Sequence, residues 1–249
     1  MERITSRKNP KIQHMRKLGT SRAYRNECGE FLCDGWKMLE EAIKNDAEVT
    51  AVLYAGEWKL PLSTNACLYE TESDIIEYVS PVMTPQGVLF TCRIPKEKPA
   101  CENEKRRLVL DGVQDPGNLG TMIRTANALF YDTVILLPGC ADLYSPKTAR
   151  ATMGAVFRQR VITADYALLD TLSEQGVLLC GAALSQDSVD IREVKYDNFA
   201  LCIGSEGKGL SETVLSKCNK KIIIPMRKDC ESLNAAQAAG IIMWETVRC

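Results

Sequence analysis

Residues 108–130, LVLDGVQDPGNLGTMIRTANALF, pass from a short apolar run through a loop rich in Gly and Pro into a helical pattern. The run at 108–111 predicts a strand buried on both faces, because such strands carry apolar residues without alternation. The residues after the loop predict a helix over 119–130, because their apolar positions recur with the α-helical period. These positions are Leu119, Met122, Ile123, Ala126, Leu129 and Phe130. A buried strand that leads into a helix is typical of α/β proteins.

The rest of the C-terminal half repeats this alternation of short apolar runs and helical patterns. Further strands are predicted at 133–137, 177–182, 199–203 and 221–225. Further helices are predicted at 147–154, 166–174, 211–218 and 233–247. Strands that alternate with helices usually pair in parallel, since each helix crosses back over the sheet. The sequence therefore predicts an α/β fold with a mostly parallel sheet.

The segment 94–107, IPKEKPACENEKRR, has two prolines and many charges but no sustained apolar period. These features are typical of a linker. The sequence thus predicts a small N-terminal α/β domain over 1–96, a linker over 97–106 and a larger domain over 107–249. Strands of the small domain are predicted at 49–54 and 88–92.

The composition is that of an ordinary globular protein, with 45% apolar and 25% charged residues among 249 and a net charge of −1. No window approaches the roughly 20 apolar residues that span a bilayer. The 11 cysteines form no C-x-x-C pair and His14 is the only histidine, so we expect neither a metal site nor a histidine-based triad. We expect reduced thiols and a cytoplasmic protein with no membrane partner.

Residues 1–26 carry eight basic side chains against the single acidic Glu2. The basic residues are Arg3, Arg7, Lys8, Lys11, Arg16, Lys17, Arg22 and Arg25. From the residues alone, a solvated amphipathic terminus and an arm that contacts phosphates explain this cluster equally well.

Ligands of parallel α/β domains gather beyond the carboxyl ends of the strands, so the loop after 108–111 is a candidate site. It places Asn118 at the expected N-cap of the helix and Arg124 on the helix face opposite the apolar positions. Arg124 could contact an anionic group, but a solvated surface arginine explains the pattern at least as well.

Two further loops follow predicted strands. The segment IGSEGKGLS at 203–211 has three glycines, which let a backbone approach a ligand closely, yet it matches no nucleotide-binding motif and a plain turn fits equally well. The loop 224–234 precedes the final helix, for which Ser232 is the expected cap. That helix, 233–247, is apolar on nearly every side and must be buried by the same chain or by a partner subunit.

Three segments together resemble the three motifs of the SpoU (TrmH-like) RNA 2′-O-ribose methyltransferases of the SPOUT superfamily. They are DPGNLGTMIRTA at 115–126, IGSEGKGLS at 203–211, and IPM at 224–226 followed by ESLN at 231–234. The segments DLYSPK at 142–147 and RATMG at 150–154 are similar to the intervening region of the family. The start of the chain, with Ile4-Thr-Ser and Asn9-Pro10, is similar to an appended RNA-binding domain that resembles ribosomal protein L30e.

The resemblance implies a C-terminal SPOUT domain with a deep trefoil knot, S-adenosylmethionine bound within the knot, and a pocket completed by homodimer formation. The implied cofactor-binding residues are Gly204, Glu206, Gly207, Ile224, Met226, Ser232 and Leu233. The N-terminal cations then become expected RNA contacts, and deletion of 1–26 is expected to weaken RNA binding while sparing the cofactor.

The implied reaction is attack of a ribose 2′-hydroxyl on the sulfonium methyl group, most simply in ribosomal RNA of the large subunit. The implied catalytic residues are Asn118, Arg124, Glu206, Ser232 and Asn234. Because a guanidinium loses its proton only above about pH 12, holding phosphate is the less demanding role for Arg124. The alternatives are methylation of transfer RNA, a resistance-type methylation of ribosomal RNA, or a non-catalytic RNA-binding or ribosome-assembly protein. A Rossmann-type dehydrogenase is disfavoured because the glycine fingerprint is missing.

Overall fold

The computed structural model describes residues 2–60, 66–96, 104–227 and 232–248. The chain divides into two compact units, one formed by 1–96 with 142–158 and the other by 97–141 with 159–249. Of the predicted linker 97–106, residues 97–103 lie outside the described residues. The predicted domain boundaries stay a prediction.

The first unit is built on a five-stranded mixed sheet. Its N-terminal elements are β1 (Glu2–Arg3), α1 (Pro10–Thr20), α2 (Arg22–Cys28), β2 (Glu30–Asp34), α3 (Trp36–Lys44), β3 (Val49–Ala55), β4 (Cys67–Thr71), α4 (Ser73–Val79) and β5 (Val88–Arg93). The strand order is β1-β4-β3-β5-β2, and β5 runs antiparallel to β3 and β2. The predicted strands at 49–54 and 88–92 correspond to β3 and β5. The sequence interpretation missed β2, whose acidic ends interrupt its apolar run.

Helix α1 contributes its apolar face to the core of this unit. It begins after Asn9, whose side chain accepts the backbone N–H of Lys11 as an N-cap. Ile12, Met15 and Leu18, spaced three residues apart, are almost completely buried. The basic N-terminal segment is therefore part of the folded unit, and deleting 1–26 would remove its core rather than only its charge.

The second unit contains a seven-stranded parallel sheet. The elements that follow along the chain are β6 (Arg106–Asp111), α5 (Pro116–Ala128), β7 (Thr133–Leu136), α6 (Pro146–Ala151), β8 (Arg160–Thr163), α7 (Ala167–Glu174), β9 (Leu178–Ala182), β10 (Val189–Asp190), β11 (Phe199–Gly204), α8 (Glu212–Lys217), β12 (Lys220–Ile223) and α9 (Ala235–Arg248). The short α6 belongs to the first unit. The strand order is β10-β12-β9-β11-β6-β7-β8, and every described pair is parallel. The predicted α/β class with a mostly parallel sheet is confirmed.

The caps of α5 and α9 differ from the predicted ones. Pro116 opens α5, and the Asp115 side chain accepts the backbone N–H of Asn118 at 2.8 Å. Proline suits this position because the first helical turn needs no N–H from it. At α9, the Asn234 side chain accepts the backbone N–H groups of Ala236 and Gln237. The predictions that Asn118 and Ser232 cap these helices were wrong.

The predicted helix over 119–130 extends past the observed end of α5, and the chain itself provides part of the burial predicted for α9. The apolar period of the predicted helix includes Phe130, but α5 ends at Ala128 and Phe130 is 75% exposed. The helical period does not extend past the helix end, so it cannot place that ring. In α9, Ala239 and Met243 are fully buried whereas Trp244 is 58% exposed. The described chain therefore covers only one side of this apolar helix.

The described part of the chain contains no helix that is long and apolar enough to cross a membrane. Every cysteine in that part is a free thiol.

Candidate active site

The carboxyl ends of β6 and β11 lie side by side, because Asp111 pairs with Gly204 in the register of the sheet. Asp111 is only 4% exposed, and its Oδ2 accepts the backbone N–H of Ser211 at 2.7 Å. The Tyr166 hydroxyl donates to the other carboxylate oxygen at 3.3 Å. Asp111 thus attaches the end of the glycine loop 205–211 to the strand that leads into α5.

The side chain of Asn234 connects all three candidate loops. Its Nδ2 donates to Asn118 Oδ1 at 3.2 Å and to Glu206 Oε1 at 3.3 Å. Its Oδ1 is meanwhile occupied by the N-cap hydrogen bonds of α9. Because Oδ1 is held at the start of α9, the Nδ2 group of the amide stays directed toward Asn118 and Glu206. Three of the predicted catalytic residues are brought together by one side chain.

The glycine loop folds back on itself directly after β11. Ser205 and Gly209 exchange two backbone hydrogen bonds of 3.0 and 2.9 Å. A Cβ atom on Gly204 would lie 2.0 Å from the carbonyl carbon of Gly209, so this position tolerates only glycine. A Cβ on Gly207 would meet nothing within 4 Å. Gly204 therefore makes room for the loop itself, whereas Gly207 leaves space open beside it.

A cavity of about 440 Å³ opens at this edge of the sheet, within the roughly 300–1,000 Å³ that ligand sites occupy. All the predicted cofactor-binding residues line it, namely Gly204, Glu206, Gly207, Ile224, Met226, Ser232 and Leu233. Other lining residues were missed by the sequence interpretation, among them Ala182, Ala183 and Leu184 at the end of β9 and just after it, and Ala235, Ala238 and Ile242 in α9. The carboxyl-end rule applied to β9 would have indicated the first of these groups.

Arg124 stands apart from this cavity. It lies on α5, two helical turns from the start, with its side chain exposed, and it is not among the residues that line the cavity. Glu206 and Lys208 are exposed at the cavity mouth, as is Ser232. The cluster of Asn118, Glu206 and Asn234 therefore forms without Arg124 within this chain.

Thiols behind the cavity remain protonated. Burial raises the pKa of the Cys180 thiol to about 12. A hydrogen bond that the Cys202 thiol donates to Cys218, together with burial, raises the pKa of Cys202 well above its ordinary value. Neither thiol is therefore a nucleophile at neutral pH. Within the described ranges, no cluster of three or more His, Cys, Asp or Glu side chains could hold a metal ion.

The predicted RNA-contacting cations have different surroundings. Arg7 pairs with Asp74 at 2.9 Å and Lys11 with Glu2 at 2.7 Å, and all four side chains remain largely exposed. Arg3 likewise pairs with Glu72. Exposed pairs of this kind are weak and can exchange for phosphate. The side chains of Lys8, Arg16, Lys17 and Arg22 are exposed on the surface of the first unit.

Arg25 differs from the other cations because it is buried. Its side chain is 5% exposed and its guanidinium holds Asp142 at 2.5 Å. A further N–H donates to the Leu18 carbonyl. This arrangement corrects the prediction that Arg25 contacts RNA, since its donors already serve the interior of the first unit.

Comparison with known proteins identifies the family. The profile of the SpoU rRNA Methylase family matches residues 105–244, and that of the MRM3-like substrate binding domain matches residues 9–89. The chain is 36% identical, over 98% of both chains, to the Bacillus subtilis (strain 168) protein named 23S rRNA (guanosine(2553)-2′-O)-methyltransferase RlmP.

Two solved structures of similar architecture support the same assignment. One is the AdoMet-bound rRNA methyltransferase from Sinorhizobium meliloti, with a TM-score of 0.88, 28% identity and coverage of 99% of this chain and 97% of that one. The other is the SpoU methyltransferase AviRb from Streptomyces viridochromogenes with AdoMet, with a TM-score of 0.86, 26% identity and coverage of 96% and 98%. The chain belongs to the SpoU rRNA Methylase family, as its three sequence motifs predicted.

Proposed function

We propose that this protein transfers a methyl group from S-adenosylmethionine to a ribose 2′-hydroxyl in 23S ribosomal RNA. The observation that carries the proposal is the Asn234 amide, which joins Asn118 and Glu206 beside a ligand-sized cavity. The similarity to the protein named RlmP, which extends over almost the whole of both chains, supports ribosomal RNA over transfer RNA as the substrate.

The cavity has the chemistry that S-adenosylmethionine requires. Ile224, Met226 and Leu233 offer apolar surface to an adenine ring, and the glycine loop offers backbone groups to its polar edge. The open space beside Gly207 lets a ligand approach the backbone closely. Glu206 and the Ser232 hydroxyl are suited to ribose hydroxyls or to the amino-acid end. When bound, the cofactor supplies an electrophilic methyl group for an in-line displacement.

The remaining catalytic work falls to side chains of the protein. A ribose hydroxyl is a poor nucleophile, so the rate depends on its alignment and on stabilisation of charge on its oxygen. We assign that alignment to Asn118 and Asn234, whose amides are already oriented by each other. We assign to Arg124 the binding of an RNA phosphate and the stabilisation of negative charge that develops on the attacking oxygen.

A homodimer completes the site in this proposal. Ile241 and Trp244 of α9 are 44% and 58% exposed, and α9 also lines the cavity through Ala238 and Ile242. A second copy would cover these apolar side chains. The trefoil knot of the family is likewise part of the proposed fold. Sedimentation of the purified protein at several concentrations tests the dimer, and a monomer throughout would contradict it.

The first unit binds the RNA in this proposal, in the cytoplasm, where ribosomes are assembled. The matching substrate binding domain and the exposed cations Lys8, Arg16, Lys17 and Arg22 support this role. Because residues 1–26 carry core side chains, charge reversal is a better test than deletion. Lys8→Glu with Arg22→Glu is expected to weaken RNA binding and to lower the salt dependence by about one unit of log–log slope per lost contact. An unchanged slope would count against the RNA role of these cations.

Methyl transfer is tested directly with methyl-labelled S-adenosylmethionine. The substrates are 23S ribosomal RNA from cells that lack the gene, intact large subunits from the same cells, and transfer RNA. We expect the label on one ribose of 23S RNA or of the subunit, located by resistance of the adjoining linkage to alkali. Label in transfer RNA would support the alternative substrate, and binding of RNA without any transfer would support a non-catalytic protein.

A further inference from the structure

The first unit carries an aromatic cluster that the proposed reaction does not use. Trp36, Tyr54 and Trp58 meet edge to face, with ring centroids 5.5 Å apart for the two indoles and 5.2 Å apart for Tyr54 and Trp58. The third pair, Trp36 and Tyr54, is 6.5 Å apart. The Nζ of Lys59 lies 5.8 Å from the centroid of the Trp36 ring.

The topology of the sheet places this cluster at the edge where β2 and β3 both end. Strand β5 is antiparallel to both β2 and β3, so β2 and β3 run in the same direction and end at the same edge. Trp36 begins the helix after β2, and Trp58 lies three residues after β3 ends. Beyond the carboxyl ends of such strands, loops are free to contact a ligand.

Burial differs among the three rings. Tyr54 is 3% exposed and forms the floor of the cluster, whereas both indoles are only half-buried. Lys59, beside Trp36, is exposed. An aromatic surface with an adjoining exposed cation suits a planar ligand that carries a negative charge.

The Trp58 indole has an unmet hydrogen-bonding requirement. Its Nε1 is buried and has no hydrogen-bond partner within the described chain. A buried N–H without an acceptor costs free energy in the position that the Trp58 ring now occupies. A ligand that offers an acceptor at the surface therefore favours movement of the Trp58 ring toward the surface. Nucleobases carry carbonyl and ring-nitrogen acceptors together with a flat π-face.

We propose that Trp36 and Trp58 stack an unpaired base of the RNA substrate, with Lys59 contacting the adjoining phosphate. The proposal rests on the proposed function only in taking RNA as the substrate. The stacking surface supplies affinity for a single-stranded segment without selecting a particular base, because every base has a π-face. This stacking surface is separate from the N-terminal cations, to which the proposed function assigns phosphate contacts only.

Oligonucleotide titration monitored by tryptophan fluorescence tests this site. The probes are a single-stranded oligoadenylate and an abasic ribose-phosphate strand of the same length. We expect oligoadenylate to quench the fluorescence and to bind more tightly than the abasic strand. In the variant with Trp36→Ala and Trp58→Ala, the preference for oligoadenylate over the abasic strand, measured by the anisotropy of labelled strands, should disappear. Equal affinity for both strands in the wild-type protein would overturn the proposal.

Substitutions separate stacking from a merely structural role. Trp58→Ala is expected to weaken oligoadenylate binding about 5- to 150-fold, the measured range for stacking of one base, and to leave affinity for the abasic strand unchanged. Trp58→Phe retains a stacking face and should lose less, which keeps the test valid if the alanine variant folds poorly. Met83→Ala, a fully exposed residue of the same unit, is the matched control and should bind as the wild type does.

The salt dependence tests the lysine separately. Lys59→Ala is expected to lower the log–log salt slope by roughly 0.7, the value for one phosphate contact on a single strand. Oligoadenylate affinity that is unchanged in folded Trp58→Ala would refute stacking even if the enzyme methylates RNA. Base-dependent quenching without any methyl transfer would instead refute only the proposed reaction.

Discussion

Gly204→Ala is expected to open the glycine loop and to abolish cofactor binding. The added Cβ would lie 2.0 Å from the carbonyl carbon of Gly209 and 2.2 Å from the backbone nitrogen of Leu210. Both obstacles are backbone atoms, which no rotamer change can move. Ordinary contact begins near 3.4 Å, so the Gly209 backbone must retreat by about 1.4 Å.

The free-energy cost of moving the Gly209 backbone follows from the hydrogen bonds that the movement breaks. The two hydrogen bonds between Ser205 and Gly209, at 3.0 and 2.9 Å, would both exceed bonding distance. Each contributes about 1 kcal/mol, which sets a lower limit of about 2 kcal/mol. Strain from overpacking adds roughly 1–3 kcal/mol where the chain does not relax. We therefore expect the free energy of unfolding to fall by about 2–5 kcal/mol.

Chemical denaturation and calorimetry with S-adenosylmethionine measure the two effects. Gly207→Ala is the matched control for the denaturation measurement only, because its added Cβ meets nothing within 4 Å. It should change stability by less than about 0.5 kcal/mol, while its methyl group occupies space beside the cavity and weakens cofactor binding. If Gly204→Ala unfolds and binds the cofactor as the wild type does, the assigned role of the loop is wrong.

Three further predictions concern single side chains. Arg124→Ala should keep its affinity for S-adenosylmethionine but transfer methyl about 10²–10³-fold more slowly, the usual loss when one charge-stabilising donor is removed; near wild-type turnover of labelled methyl would contradict the assignment. Arg25→Met leaves the Asp142 carboxylate, whose side chain is 16% exposed, without its cation, so the free energy of unfolding in urea should fall by up to about 3–5 kcal/mol; an unchanged midpoint would show that the pair is not needed. Burial raises the pKa of Asp34 above its ordinary value. The neutral carboxyl group therefore stabilises the fold fully below about pH 3.9, the pKa of the unfolded chain. This stabilisation is lost as the pH rises through the raised pKa of the folded state. Asp34→Asn should remove that loss, seen as a flatter stability profile between about pH 4 and pH 7, and identical profiles would exclude the effect.

Local patterns predicted the interior of the large sheet well. The apolar runs at 133–137 and 199–203 correspond to β7 and β11, since strands covered on both faces need apolar residues at every position. The edge strand β8, RVIT, was missed because it is short and half-buried. Partly exposed strands leave only a weak pattern in so few residues.

The sequence predicted the individual loops of the candidate site but not the contacts between them. Each loop has its own sequence signal, but Asn234 donates to residues 116 and 28 positions away along the chain. That contact depends on which strands are neighbours, and the order β9-β11-β6 cannot be obtained from local periodicity. Likewise, charge alone grouped Arg25 with the exposed cations, although its guanidinium pairs with Asp142, 117 positions away.

The amino-acid sequence by itself determined the α/β class and the family, and it predicted which residues bind the cofactor, because periodicity and motifs are local properties of the chain. The tertiary structure alone decided which of these residues meet. It placed Asn118, Glu206 and Asn234 in one hydrogen-bonded cluster, left Arg124 outside it and buried Arg25. The physical reason is that hydrogen bonds and burial depend on distances in space, which the pairing order of the strands sets and separation along the chain does not.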